Sequence, residues 1–253
     1  MEILNNLPKN WSDIPLNIYK EFISLDLNDF EDNYELLKEQ LAVLMDISSD
    51  DEYFDELDLN DLLIIIDNIK WLNNEPINNY KKEIDNYKIK DLNNITLGEF
   101  IDLDYYFKTG SIENLHLLCS ILYKQYKIDE WNNTIEEPYI YDIHIRSEHF
   151  LKEPISNIYG IINYFYKFKE NFINNYTGIF TSPDDDLDLE GLDQNEINEI
   201  KKEIEEDKKR SEFSWQLLVF DLTNGDLTKF ESVCGLSLIY VFNTIAMKKA
   251  MKL

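Results

Sequence analysis

The sequence predicts a mainly α-helical protein, with a multi-helix, bundle-like body, a short extended arm or hairpin, and a C-terminal helical hairpin. Apolar residues recur at every third or fourth position in segments of about 10–15 residues, which is the period of an amphipathic helix. Short polar stretches join these segments, as they do in helical bundles. We therefore expect helices in well over half of the chain and no sheet larger than one short hairpin.

Three helices are predicted near the N-terminus. The first begins around Ser12 or Asp13, either of which can cap it, with Pro15 in its first turn. The second covers residues 32–45, and the third covers residues 58–72. Their expected buried residues are Leu16, Tyr19, Phe22, Ile23, Leu36, Leu37, Leu41, Leu44, Ile64, Ile65 and Ile69.

Residues 80–92 alternate apolar and charged residues, which favours a short hairpin or an irregular crossing. Helical spacing resumes after Thr96, and Glu99 three residues later completes the signature of a capping box. A further helix, the most apolar of this half, is predicted over residues 114–126. The helix after Thr96 is expected to bury Phe100, Leu103, Tyr106 and Phe107.

Residues 132–153 differ from the helical segments around them. Because residues 138–146 alternate, we expect an extended arm or short strand, packed on another element or subunit so that its apolar side chains leave water. An aromatic helix follows from Pro154, and its aromatic face is expected to be core or, in part, a surface for a partner. The candidate protein-contact residues are Tyr139, Tyr141, Ile143, Ile145, Phe165, Phe168 and Phe172.

Changes in composition predict three regions. Residues 1–180 are expected to form the helical body, and residues 181–211 an acidic linker with a charged helix. Residues 212–253 are expected to form a helical hairpin that packs on the body. The side chains expected to attach this hairpin are Trp215, Phe220 and Phe230.

The charge of the chain narrows its possible partners. Its 253 residues include 24 Lys and Arg against 50 Asp and Glu, which gives a formal net charge of -26. Such a surface repels phosphate backbones, so we expect no direct sequence-specific binding to nucleic acid. The acidity suits a basic protein partner, metal cations, or the wall of a channel along which DNA slides.

The cysteines and the apolar segments of the sequence indicate the cellular compartment. Cys119 and Cys234 lie in apolar stretches and are expected to be buried thiols of a reducing compartment. No signal-peptide pattern and no apolar run of membrane-spanning length is found, so we expect no membrane association. We expect the protein to be made in a cytoplasm and kept there, or packed into a particle assembled there.

The motifs of enzymes and cofactor sites are missing from the sequence. Seven glycines leave no phosphate-binding loop, and no nucleophile elbow occurs. His144 and His149 are five residues apart, which is not the spacing that places two zinc ligands on one helix face. His116 and Cys119 share a predicted face but lack a second ligand pair. We expect no catalytic residues, no cofactor and no metal ligands.

The acidic residues 186–197 contain the first half of a calcium loop. Asp186, Asp188 and Glu190 occupy its first ligand positions and Gly191 follows them, but Ile197 stands where a bidentate Glu is needed. We therefore expect a mobile acidic linker here instead of a calcium site.

A resemblance to a protein family is carried by three stretches that together span nearly the whole chain. They are residues 11–19 (WSDIPLNIY), residues 95–103 (ITLGEFIDL) followed by Asn114-Leu115, and residues 213–217 (FSWQL) with residues 224–230 (NGDLTKF). These stretches resemble tail-assembly and virion neck-tail proteins of crAss-like and other Bacteroidetes-infecting tailed bacteriophages. The resemblance implies a role in tail morphogenesis and no catalytic residues. The acidic residues 181–211 depart from that pattern.

These observations lead to a non-enzymatic structural protein of a phage tail or neck as the expected function. It would act as a ring or tail-barrel component, through contacts with portal, tail or neck proteins and with further copies of itself. The alternative is a chaperone, absent from the virion, that keeps a tail protein soluble until assembly. An enzyme with an unrecognised site is a third possibility.

Overall fold

The computed structural model describes residues 7–30, 32–128, 130–131, 134–136, 143–180 and 214–251. Within these residues the chain is mainly helical, as predicted. The α-helices are α1 (Leu16–Ser24), α2 (Asn33–Met45), α3 (Leu59–Ile69), α4 (Leu97–Lys108), α5 (Leu115–Leu122), α6 (Ile143–Leu151), α7 (Ile161–Asn175), α8 (Thr177–Phe180), α9 (Ser214–Leu222), α10 (Phe230–Cys234) and α11 (Leu238–Met251). The strands are β1 (Glu83–Ile84), β2 (Tyr87–Ile89), β3 (Tyr123–Ile128) and β4 (Thr134–Glu136).

Side-chain caps fix where several helices begin. The Asp32 carboxylate accepts hydrogen bonds from the backbone N–H groups of Tyr34 and Glu35 at the start of α2. At the start of α4, the Glu99 backbone N–H donates to the Thr96 hydroxyl, and the Thr96 N–H donates to the Glu99 carboxylate. The predicted capping box is therefore confirmed, and it satisfies backbone donors that the helix itself cannot.

The four strands form one small antiparallel sheet in the order β1-β2-β3-β4. The hairpin predicted over residues 80–92 is confirmed by the pairing of β1 with β2, and the two strands are joined through Asp85, which has a positive φ of 49°. The prediction of no sheet beyond one hairpin is wrong, because β3 adds to β2 with Ile89 opposite Tyr123, and β4 adds to β3.

The helix predicted over residues 114–126 ends at Leu122 for the same reason. Tyr123 adopts an extended conformation and begins β3. Its ring is fully buried, and its hydroxyl donates a hydrogen bond to the Lys81 carbonyl. The Lys90 N–H donates to the Leu122 carbonyl beyond the paired residues, at 2.8 Å. Pairing with β2 therefore overrides the helical spacing of the sequence.

The extended arm predicted through residue 146 is corrected from Ile143 onward, where α6 begins. Ile143, Ser147 and Phe150 are buried at i, i+4 and i+7, on a helix that packs against α5. The alternation of the sequence concealed this spacing. The rest of the predicted arm, residues 138–142, lies outside the described residues, as does the predicted acidic linker over residues 181–211.

The chain divides into two compact units. Unit 1 takes its described residues from Met1–Lys90 and Tyr105–Lys167, and unit 2 from Asp91–Asp104 and Phe168–Leu253. Part of the predicted body, including the first turns of α4, therefore belongs to the same unit as the C-terminal helices. Helices α4 and α7 contribute residues to both units.

The core of unit 1 includes a cluster formed by the N-terminal helices. Leu41 and Ala42 of α2 pack with Ile65 and Ile69 of α3, and Phe54 from the connection between these helices is buried among them. Full burial of side chains of this size is the main source of stability in such a cluster. Helices α2 and α3 therefore each turn one side toward this core.

In unit 1, a short antiparallel backbone bridge joins two distant parts of the chain. Pro15 is bridged to Pro154, with hydrogen bonds from the Leu16 N–H to the Glu153 carbonyl and from the Ile155 N–H to the Ile14 carbonyl, at 2.9 and 2.8 Å. The residues after the bridged pair, Leu16 and Ile155, are fully buried.

Unit 2 contains the same arrangement. Thr96 is bridged to Ser237, with hydrogen bonds from the Leu97 N–H to the Leu236 carbonyl and from the Leu238 N–H to the Ile95 carbonyl, at 2.9 and 3.0 Å. Leu97 and Leu238 are again fully buried. Each unit thus joins two distant parts of the chain by a two-bond bridge placed at a helix start.

Candidate protein-contact surfaces

The residues predicted to contact a partner have different environments. Tyr139 and Tyr141 lie outside the described residues. Ile143 is buried against the rest of unit 1, whereas Ile145, on the other side of α6, is 71% exposed. Of the four candidate contact residues in the predicted arm, Ile145 is thus the one that is exposed within the described residues.

Two of the three candidate contact residues on α7, Phe165 and Phe172, belong to the cores. Phe165 is fully buried and meets Phe107 edge-on, with ring centroids 5.5 Å apart, in unit 1. Phe172 is buried in unit 2, where its ring lies 5.3 Å from Phe100 and 4.9 Å from Phe242. The expectation of a core face therefore describes these two side chains, and they are not accessible to a partner. Phe168 is half-buried against Phe100.

A buried polar cluster connects three helices of unit 2. Asp104 is almost fully buried, and its two carboxylate oxygens bind different partners: the Lys169 ammonium at 2.6 Å and the Trp215 indole N–H at 2.8 Å. The Trp215 ring also meets Phe100 edge-on at 5.2 Å. A buried carboxylate needs such partners, because without them its desolvation is strongly unfavourable.

Trp215 therefore packs α9 on α4 within unit 2. Phe220, also expected to attach the C-terminal helices, is about half exposed and covers Gly225 in the following turn. Gly225 has a positive φ of 75°, and a Cβ there would lie 3.0 Å from the Phe220 ring. Phe220 therefore packs locally on the turn and does not fill the core.

Helix α3 carries apolar side chains on two sides. Ile65 and Ile69 are in the core of unit 1, whereas Leu59, Leu63 and Ile66 are exposed. These three residues, which we call the α3 face, are spaced i, i+4 and i+7 and so form one stripe along the helix. This exposed apolar stripe is a candidate surface for protein contacts.

Helix α11 has a second exposed stripe, in unit 2. Tyr240, Met247 and Met251 are exposed and are spaced i, i+7 and i+11, with the half-buried Thr244 between them. We call Tyr240, Met247 and Met251 the α11 face. Methionine side chains are flexible and adapt to varied partner surfaces. The buried side of the same helix consists of Leu238, Val241 and Phe242.

The two faces differ in the charge around them. Helix α3 contains Asp61 and Asp67 and no basic residue, and residues 50–58 before it add six carboxylates and again no basic residue. Helix α11 contains Lys248 and Lys249 in its last turn and no acidic residue. The N-terminal end of the α3 face is therefore bordered by negative charge, whereas Lys70 follows the helix and pairs with Asp67 at 2.6 Å. Lys248 borders the C-terminal end of the α11 face with positive charge.

The histidines and cysteines do not form a cluster. Within the described ranges, no group of three His, Cys, Asp or Glu side chains could hold a metal ion. Cys119 is buried and Cys234 is half-buried, both as free thiols, and burial raises the pKa of each. Burial, with Lys20 and His144 nearby, lowers the pKa of His116 to about 4. The first half of a calcium loop, at residues 186–197, lies outside the described residues.

Unit 2 also has an open cleft of about 500 Å³. Four asparagines and four apolar or aromatic residues line it. The hydroxyl of Tyr176, one of these residues, donates a hydrogen bond to the Asn243 side chain at 2.7 Å. None of the lining residues carries a charge. The lining residues are Asn93, Phe168, Asn171, Phe172, Asn175, Tyr176, Ile239 and Asn243.

These features define a mainly helical protein with two exposed apolar helix faces. Negative charge lies beside the α3 face and positive charge beside the α11 face. In the described part of the chain, no helix is both long and apolar enough to cross a membrane. Comparison with known proteins identified no relative: no protein family, no curated protein and no solved structure matches the chain.

Proposed function

We propose that the protein is a non-enzymatic structural component of a tailed-bacteriophage virion, located in the tail or neck, that works through protein–protein contacts. The observation that supports it best is the pair of exposed apolar faces on α3 and α11. An apolar stripe that stays in water is unfavourable for an isolated chain and becomes favourable when a neighbour covers it.

The sequence resemblance supplies the assignment to a phage tail or neck. The acidity of the chain is consistent with that location, because many copies of a protein with a net charge of -26 would repel DNA passing through a central channel. The portal, the tail and neighbouring copies would be the partners, with assembly in the host cytoplasm and no cofactor.

Mass spectrometry of purified phage particles tests this proposal. A virion component is expected in the particles at a copy number that matches a ring or a tail barrel. If the protein is abundant in infected cells but missing from purified particles, the structural role is contradicted. That result would favour the tail-assembly chaperone, which should leave before the particle is complete.

A further inference from the structure

We infer that the α3 face of one copy binds the α11 face of a second copy, with the two helices antiparallel. The inference deepens the proposed function by naming the surfaces through which copies of this chain would associate. The partner is a second copy of the chain, because both faces are apolar and the charges beside them have opposite signs.

The apolar parts of the two faces are comparable in length. The α3 face runs from Leu59 to Ile66 and the α11 face from Tyr240 to Met251, so each covers about two to three turns of helix. Helices that present such stripes pack side by side with their side chains interdigitated. Burying the two stripes against each other would remove both from water in one contact.

Charge decides the orientation of the two helices. Glu56 and Asp58 lie at the N-terminal end of the α3 face, and Lys248 lies at the C-terminal end of the α11 face. Antiparallel packing brings Lys248 close to the carboxylates that precede α3. It also places the partially positive N-terminus of α3 beside the partially negative C-terminus of α11.

The two faces are different surfaces, so the contact is heterologous. Each copy that uses its α3 face still offers its α11 face to another copy. Contacts of this kind continue until they close into a ring or extend into a filament. A ring is the assembly expected for the proposed tail or neck component.

Two single substitutions separate the two faces. Leu63, 59% exposed, and Met247, 55% exposed, can be changed to Asp with little effect on folding, which circular dichroism and thermal melting would verify. Leu63→Asp alone and Met247→Asp alone should each weaken self-association by about tenfold or more, because each puts a charge in the apolar contact. Ile77→Asp, at a loop residue that is 77% exposed, is the matched control and should associate like the wild type.

Mixing the two variants gives the sharpest test. The Leu63→Asp copy keeps an intact α11 face and the Met247→Asp copy keeps an intact α3 face, so the mixture should form a 1:1 heterodimer and stop there. Light scattering after size-exclusion chromatography measures this directly. A mixture that stays monomeric, a wild type that never associates, or a single variant that still assembles fully would overturn the inference.

A charge exchange tests the antiparallel orientation. Lys248→Glu and Glu56→Lys should each weaken association by about two- to fivefold, since both side chains are exposed. The mixture of the two variants should recover association through the exchanged pair. Absence of any recovery would refute the antiparallel arrangement.

These tests and the test of the proposed function fail in different ways. If the protein is found in particles but the mixed variants do not dimerise, the inferred contact is wrong and the virion role stands. If the variants dimerise but the protein is missing from particles, the contact stands and the virion role fails.

Discussion

Helices α7 and α3 are both rich in large apolar side chains, but α7 buries its main aromatic residues whereas α3 leaves several apolar side chains exposed. The aromatic side chains of α7 fall mainly on one side, and Phe165 and Phe172 are covered by rings from other helices. On helix α3, Ile65 and Ile69 are buried and Leu62 is half-buried, whereas Leu59, Leu63 and Ile66 are exposed. An apolar helix surface becomes core only where the fold supplies neighbours, and part of the apolar surface of α3 stays exposed.

The largest expected effect sharpens this comparison by truncation. Phe172→Ala should lower the free energy of unfolding by roughly 3–5 kcal/mol, because it opens a cavity among Phe100 and Phe242. Leu63→Ala, on the exposed α3 face, should change it by no more than about 0.5 kcal/mol. Urea unfolding of both variants measures the difference. Equal losses would mean that the α3 face is covered within a single copy.

The next effect concerns the buried Asp104. Trp215→Ala should cost about 3 kcal/mol, since it removes a packed ring and one hydrogen-bond donor of a buried carboxylate. Trp215→Phe keeps most of the ring and loses the donor, so it should cost about 1–2 kcal/mol. An unchanged melting temperature in both variants would show that Trp215 does not hold the C-terminal helices in place.

The sequence predicts the elements that neighbouring residues determine, and it fails where pairing between distant residues determines the structure. The capping box at Thr96 and the start of α2 follow from neighbouring residues and are predicted, and the hairpin is one of the two alternatives predicted for residues 80–92. Strand β3 depends on pairing with β2, more than thirty residues away, so its residues 123–126 are predicted as the end of a helix. The opposite error occurred in α6, where an alternating pattern concealed a helical one.

The contact surfaces were harder to predict than the core. Ile64 was expected to be buried, yet it is exposed, because three consecutive isoleucines give no indication of which one faces the core. The α11 face was missed for a related reason: Tyr240, Met247 and Met251 have the spacing of a buried stripe. The absence of acidic residues on α11, in so acidic a chain, was the signal that could have singled it out.

A smaller effect is expected from His116. Because burial lowers its pKa to about 4 from an ordinary value of 6.5, the unfolded chain binds a proton between these pH values while the folded chain does not. The stability that depends on neutral His116 is therefore fully present above pH 6.5 and is lost as the pH falls toward 4.

His116→Gln should remove this part of the pH dependence. Between pH 7 and pH 5, the wild type should lose about 1 kcal/mol more than the variant, after allowance for partial exposure of the ring. The measurement is the free energy of unfolding of both proteins at the two pH values. A similar loss in both proteins would show that His116 is protonated in the folded chain.

The most direct test of the central claim, that copies of this chain associate through apolar faces, is the salt dependence of self-association. Copies with a net charge of -26 repel one another over about 10 Å at 0.1 M salt, and added salt screens that repulsion. The few exposed opposite charges beside the two faces contribute much less. Sedimentation equilibrium at low and high salt should therefore show tighter association at high salt. Association that weakens with salt would point to a contact dominated by opposite charges, and a chain that stays monomeric at both salt concentrations would contradict the claim.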